Sequence, residues 1–302
     1  MIFITGIAGF VGSNLANELY MQGYDVAGCD NLQFGYPQNI HPGIKWSKQD
    51  ISDISEESLT QTTTLVHCAT ANIIYSQDNP IDTFKTNALK SFELIKKFKG
   101  KIVYTSTASV YGNAEKLPTP EDAEKKVTNA YDQSKLLTEM FLNERGNYTT
   151  LRLSNVYGKN QRPENPYAGV VAKFIQSINE SKPVEIIGDG LATRDYTYYK
   201  DTISAIIKAI ELPALNTEVN ISSGIETSII NLAFKIYEIY DLPMNMTFIP
   251  KRQIDGIERR WMDTQRAHKL LDWKPEYTLT EGLTETINGL SSLQEAQEGE
   301  TL

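Results

Sequence analysis

The sequence predicts an α/β protein, a doubly wound parallel sheet carrying a smaller α+β lobe. Three observations lead there. Short β-branched or aromatic runs alternate with longer amphipathic stretches through the first half, the pattern of βαβ units. The first run passes directly into a glycine-rich turn and an amphipathic segment. After about Asn155 the alternation loosens into shorter mixed elements.

In chain order, the strand candidates are residues 2–5, 25–30, 64–68, 101–105 and 149–153. Between them Val11, Leu15 and Leu19 recur at i+4, as do Ala88, Phe92 and Lys96 beside Leu89 and Ile95, so helices cross over the sheet. Right-handed crossovers then give the doubly wound topology. A Pro/Asn-rich loop over 161–167 and a helix over 170–178 open the second half, and the polar tail at 291–302 is expected to fray. The division is 1–158 for the first domain and 159–302 for the second lobe, with some later segments returning to the first sheet.

The 302 residues have a mass of 33.9 kDa, 40% hydrophobic and 22% charged, which suits a folded globular chain and excludes a disordered or fibrous one. A formal net charge of −9 repels polyanions, so nucleic acid is not an expected partner and any anion site must be local. No apolar run approaches the roughly 18 residues that cross a bilayer, and Met1 leads straight into Ile2-Phe3-Ile4-Thr5. No membrane and a cytoplasmic location are expected. Two cysteines, Cys29 and Cys68, are too few for a disulfide framework, and three scattered histidines offer neither metal spacing nor a hydrolase triad, so no metal is expected.

After the first strand comes Gly6-Ile7-Ala8-Gly9-Phe10-Val11-Gly12. One glycine permits the tight strand-to-helix turn, another lets backbone N–H groups approach a pyrophosphate at the helix N-terminus, and Gly12 lets the helix press on the strand. Asp30 stands at the end of the next strand, where a carboxylate accepts from a ribose 2′-OH and repels a 2′-phosphate. The first Lys or Arg in the chain is Lys45, so no cation follows that strand to neutralise the extra phosphate. NAD is favoured over NADP.

Tyr131-Asp132-Gln133-Ser134-Lys135 is a Tyr-x-x-x-Lys motif, but among 16 tyrosines chance matches are expected, and Tyr196 to Lys200 repeats the spacing. Geometry separates them. Residues four apart on a helix have Cβ atoms roughly 6 Å apart, and on a strand about 13 Å. Tyr131 opens a helical stretch, whereas Tyr196 lies in an alternating aromatic run that reads as a strand. A free tyrosine, with a pKa of about 10, is too weakly acidic to serve as a base near neutrality. One ammonium at about 4 Å is worth on the order of 4 kcal/mol at an effective dielectric of 20, enough to close the gap, which assigns Lys135 the lowering of the Tyr131 pKa. Ser106 and Thr107 fall at the carboxyl end of a predicted parallel strand, where ligands bind in open α/β sheets, and Thr107 is placed to orient a substrate hydroxyl.

With these motifs the chain resembles the extended short-chain dehydrogenases/reductases, in particular the NAD-dependent nucleotide-sugar epimerase/dehydratase group with its Rossmann domain, over nearly its whole length. The resemblance rests on the Gly6-Gly9-Gly12 turn, Asp30-Asn31-Leu32, Asp50-Ile51, His67-Cys68-Ala69, Asn87, Ser106-Thr107 to Tyr111-Gly112, Tyr131/Lys135, the run 152–158, and Gly188-Asp189-Gly190 followed by Arg194-Asp195. It implies that Phe10, Val11, Asn31 and Ala69 line the cofactor site, that Asp50 and Ile51 line the adenine pocket, and that Asn87 belongs to a proton relay behind Lys135. It implies equally that Asn155, Arg194, Arg252 and Arg260 hold a nucleotide diphosphate, and that the protein is a homodimer paired through helices over 81–98 and 130–143.

One departure ranks the activities. Dehydratases of the group carry Asp-Glu directly after the threonine, and decarboxylases usually carry a nearby Glu; here those positions are Ala108 and Ser109. Elimination then lacks its acid and base. The expected activity is epimerisation of a nucleotide sugar, foremost a UDP-hexose at C4, through a transient 4-keto sugar. A nucleotide 4-keto-sugar reductase, another nucleotide-sugar epimerase and a non-catalytic NAD(H) sensor stay open as alternatives.

Overall fold

The computed structural model describes residues 1–161, 165, 168–251 and 256–299. Its strands are β1 (Ile2–Thr5), β2 (Val26–Asp30), β3 (Lys45–Lys48), β4 (Thr64–His67), β5 (Lys101–Thr107), β6 (Tyr148–Leu153), β7 (Asn155–Tyr157), β8 (Val184–Ile187), β9 (Thr193–Tyr198), β10 (Glu218–Ile221), β11 (Glu226–Ser228) and β12 (Met246–Ile249). Its helices are α1 (Phe10–Met21), α2 (Tyr75–Asp78), α3 (Pro80–Phe84), α4 (Ser91–Lys97), α5 (Ala130–Arg145), α6 (Val170–Asn179), α7 (Tyr199–Glu211), α8 (Ile229–Tyr240), α9 (Gln265–Leu271) and α10 (Leu279–Gly299). A π-helical stretch, Lys85–Lys90, joins α3 to α4, so the helix expected over 81–98 is one path with an irregular middle.

Seven strands form one parallel sheet in the order β10-β6-β5-β4-β1-β2-β3, the doubly wound arrangement that the alternation predicts. Strand β3 was not foreseen. Only one of its four residues escapes full exposure, so it lacks the apolar signature of a sheet interior. Strand β10 comes from the second half and pairs with β6 in register Val219↔Leu151.

Both faces are covered. On one face Leu15, Ala16 and Leu19 of α1 meet Ile203, Ile206, Ile207 and Ile210 of α7, with Leu271 and Trp273 behind them. The four isoleucines fall at i, i+3, i+4 and i+7, so one stripe of α7 is buried, each side chain contributing about 1.5–3 kcal/mol. On the other face Leu94 and Ile95 of α4 and Leu142 of α5 pack on Phe3, Leu65, Ile102 and Tyr148. The second lobe has its own core of Phe174, Ile175, Ile186, Leu232 and Ile236 around the pair β8/β12. The tail expected to fray continues as the backbone of α10 to Gly299, in keeping with the helix-forming Leu, Gln, Glu and Ala that fill it.

Beneath the carboxyl ends of β5 and β6 lies a buried ion pair. Arg152 Nη2 donates to Glu139 Oε2 at 2.6 Å, and both side chains are almost fully enclosed. Ser106 also donates to Glu139, and Arg152 Nη1 donates to the Tyr111 hydroxyl and the Glu121 carbonyl, each at 2.9 Å. Removing one partner strands the other charge in a dry interior. Glu139→Ala is expected to destabilise the protein by about 3–5 kcal/mol, read as a lowered denaturation midpoint in urea.

Candidate active site

A cavity of about 360 Å³ opens at the carboxyl ends of β1, β2, β4, β5 and β6, inside the usual size of a small-molecule site. Its floor is the glycine turn. Gly6 has φ 69°, a conformation disfavoured for side-chain-bearing residues, and a Cβ there would lie 2.7 Å from the Ala69 nitrogen. A Cβ on Gly12 would lie 2.1 Å from the Gly6 carbonyl oxygen, so only glycine lets α1 come this close to β1. Among the described residues no side chain caps α1. Its first N–H groups therefore open toward the cavity, a cradle for an anion.

At one end of the cavity Asp30 closes β2. Its two oxygens accept from the Ala8 amide at 3.0 Å and the Leu32 amide at 2.8 Å. Burial raises its pKa, and these amides with that of Gly9 hold it back. Asp50 stands beside it, half-buried: burial opposes its charge, but the Lys90 ammonium at 2.8 Å, Ser52 and Asn31 outweigh that and hold the carboxyl at about 2. Asn31, Asp50, Ile51 and Ala69 all line the cavity, as do Phe10 and Val11.

At the other end stand Ser106, Thr107, Tyr131 and Lys135. Tyr131 and Lys135 lie one turn apart in α5, whose N-terminus Asn129 caps by accepting from the Asp132 amide at 2.9 Å. The decoy separates as expected: Tyr196 is buried in β9, and Lys200, the second residue of α7, is ion-paired to Glu285. Lys135 is 2% exposed, donates to the Thr105 carbonyl at 2.6 Å and stands 4.3 Å from the Tyr104 ring centroid. Burial pulls its pKa down to about 7, against Cys68 and Glu139.

The expected lowering of the Tyr131 pKa by Lys135 is not found. Burial and then the Asp132 carboxylate push the phenol up to about 12, opposed by the Thr107 hydroxyl and by Arg260. The reason is placement: the Lys135 ammonium is committed to a backbone carbonyl, and desolvation outweighs it.

Other expected residues lie off the cavity wall. Asn87, in the π-helical stretch, accepts from the Ala71 amide at 2.7 Å and donates to the Ala71 carbonyl at 2.9 Å and to Ser134 at 3.2 Å, so it pins the loop after β4. The geometry gives it no bond to Lys135 among the described residues. Asn155 lies in β7, opposite Tyr196 of β9. Arg194 donates to the carbonyls of Thr193 and Ile257 at 2.7 and 3.1 Å. Arg260 stands within electrostatic reach of Tyr131, Asp132 and Arg194, and its buried Nε has no hydrogen-bond partner among the described residues. Arg252 lies outside the described residues. The wall also includes Phe34, Tyr36, Thr70, Asn72, Asn160 and Gln161, which the motif reading passed over. Aromatics in the short glycine loop directly after Asp30 were the available signal for the first two.

Residues 2–222 match the NAD dependent epimerase/dehydratase family. The chain belongs to that family. The UDP-glucose 4-epimerase of Mycolicibacterium smegmatis is 31% identical over 94% of this chain and 96% of its own length. A UDP-glucose 4-epimerase structure from Thermotoga maritima, with UDP-glucose, superposes with TM-score 0.90 at 33% identity, covering 97% of this chain and 99% of that one. The UDP-glucuronic acid decarboxylase 1 of Danio rerio is 28% identical over 98% of this chain and 74% of its own length, so family membership leaves the reaction open. NAD is the cofactor, and the residues fit it: the turn has no room for a Cβ, α1 offers uncapped N–H groups, and Asp30 is aimed at the cavity. Asp30→Ala is expected to narrow the preference for NAD over NADP by about tenfold, the loss of one charged hydrogen bond, in fluorescence titrations of the protein with each cofactor.

Proposed function

We propose that the chain is a nucleotide-sugar 4-epimerase acting on a UDP-hexose. The observation that carries this reading is the carboxylate distribution of the cavity. Among its described lining residues the only acids are Asp30 and Asp50, both at the far end from Tyr131. The end with Ser106, Thr107, Tyr131 and Lys135 presents hydroxyls and an amine, suited to moving one proton, with no lining acid for elimination. Ala108 and Ser109 turn into a buried helical turn and contribute no acid.

In this reading Thr107 receives the sugar 4-hydroxyl and Tyr131 exchanges its proton, while bound NAD supplies a reversible acceptor for the C4 hydride. The buried Lys135 favours the tyrosine in its anionic form once charge develops. Arg194 and Arg260 sit together in a chain of net charge −9, and the unpartnered Arg260 Nε suits the diphosphate. Anchored there, the keto sugar turns its other face and returns as the inverted alcohol. Asn155 and Arg252 are assigned to the same substrate in this proposal. Tyr131→Phe is expected to lower turnover by at least about a thousandfold while NAD binding stays within twofold, checked by incubating parent and variant with UDP-, GDP-, CDP- and dTDP-sugars and separating the products. A reduced product with stoichiometric NADH consumption would move the chain to the reductases, and loss of carbon dioxide from a UDP-uronic acid to the decarboxylases.

The assembly in this proposal is a homodimer. Ile81 of α3 and Met140 of α5 are 72% and 60% exposed, with Leu89 and Leu137 exposed beside them on packed helices. A two-fold axis there would cover all four in a four-helix bundle. Light scattering is expected to give twice the chain mass, and Met140→Glu to shift it toward the monomer.

A further inference from the structure

Two polar residues close to Tyr131 have no part in the reading above, Ser109 and Asp132. Both are buried. The Ser109 hydroxyl donates to Asp132 Oδ1, and the other oxygen, Oδ2, accepts from Asn129 Nδ2 at 2.7 Å. Ser109 has one hydroxyl proton, and it is committed to the carboxylate. At its 3.0 Å contact with Thr107 Oγ1, Ser109 can then only accept, so Thr107 must donate. The Ser109 amide meanwhile donates to Thr107 Oγ1 at 3.1 Å. Thr107 is hydrogen-bonded to the Tyr131 hydroxyl, a bond that favours the phenolate only when Thr107 donates, and its proton is committed to Ser109.

We propose that Asp132 and Ser109 form a positioning pair that directs the hydrogen bonds from Tyr131 through Thr107 and Ser109 to the Asp132 carboxylate, and so holds Tyr131 as a phenol with its proton aimed at Thr107. Burial raises the Asp132 pKa, and the bonds from Ser109 and Asn129 together with Arg260 hold it back, while its place in the first turn of α5 puts it where the helix dipole favours the anion. Around Tyr131 the other charged or titratable groups are Tyr104 on β5, Lys135 and Glu139 on α5, and Arg260 with Arg194 behind it from the second half. The cations act against the pair, so the tyrosine is balanced between a network that protonates it and one that ionises it. A base that must give its proton back needs both. The inference rests on Tyr131 as the group that exchanges the proton.

The test follows Tyr131 itself. In NAD-loaded protein carrying isotope-labelled tyrosine, NMR reads the ring carbon that bears the oxygen, assigned by its loss in Tyr131→Phe, as pH is raised. Asp132→Asn removes the charge at constant shape, and Ser109→Ala frees the Thr107 proton to stabilise the phenolate. Each is expected to lower the Tyr131 ionisation midpoint by about one pH unit, roughly tenfold in acidity. A midpoint within a few tenths of a unit of the parent in both variants would overturn the pair's role. If Asp132→Asn does not fold, Ser109→Ala decides alone by the same two outcomes. The readout needs no sugar: lowered midpoints in a protein that epimerises nothing would sink the epimerase reading and leave this one, and unchanged midpoints in an active epimerase would do the reverse.

Discussion

The geometry of the cavity end that holds Tyr131 and Lys135 depends on one buried ion pair. Glu139 follows Tyr131 and Lys135 at i+8 and i+4, so the three side chains descend one face of α5. Arg152, on β6 beside the edge strand β10, grips the lowest of them, and a shift of α5 by one residue would leave both charges unpaired in a low-dielectric interior. Tyr131 and Lys135 are therefore set in register with Ser106 and Thr107 on β5, because Ser106 bonds the same carboxylate. The pair also reaches the second half of the chain. Tyr111, bonded to Arg152, donates to Asn220 Oδ1 of β10 at 2.6 Å, and the Asn220 amide donates to Glu121 at 2.9 Å. The strand that returns late to the sheet is thus tied into the network that positions the site.

The cavity has an electrostatic direction. Asp30 and Asp50 mark the acidic end, the N-terminus of α1 lies between, and the two adjoining arginines lie beyond Tyr131. A chain of net charge −9 can hold an anionic ligand only where its cations are local and partly desolvated, which strengthens each interaction. The same desolvation acts on the titratable groups. It raises Tyr131 to about 12 and lowers Lys135 to about 7, away from each other, so burial favours the neutral form of both side chains.

What the sequence by itself determined is local and periodic. The five strand candidates coincide with β1, β2, β4, β5 and β6 to within two residues at either end, because buried parallel strands are written as continuous apolar runs. The glycine turn, Asp30 and the Tyr131/Lys135 pair were legible for the same reason, since each is a short motif whose spacing has one physical meaning on one element. Tertiary structure alone decided the rest. It placed β10 beside β6, seated Lys135 on the Thr105 carbonyl instead of against the phenol, turned Asn87 onto Ala71, brought Asp132 to Ser109, and brought Arg260 within reach of Asp132 and Tyr131. These are contacts between segments distant in the chain. Each side chain has several possible partners, and only the packed interior, by removing water, makes one of them the partner that must be satisfied.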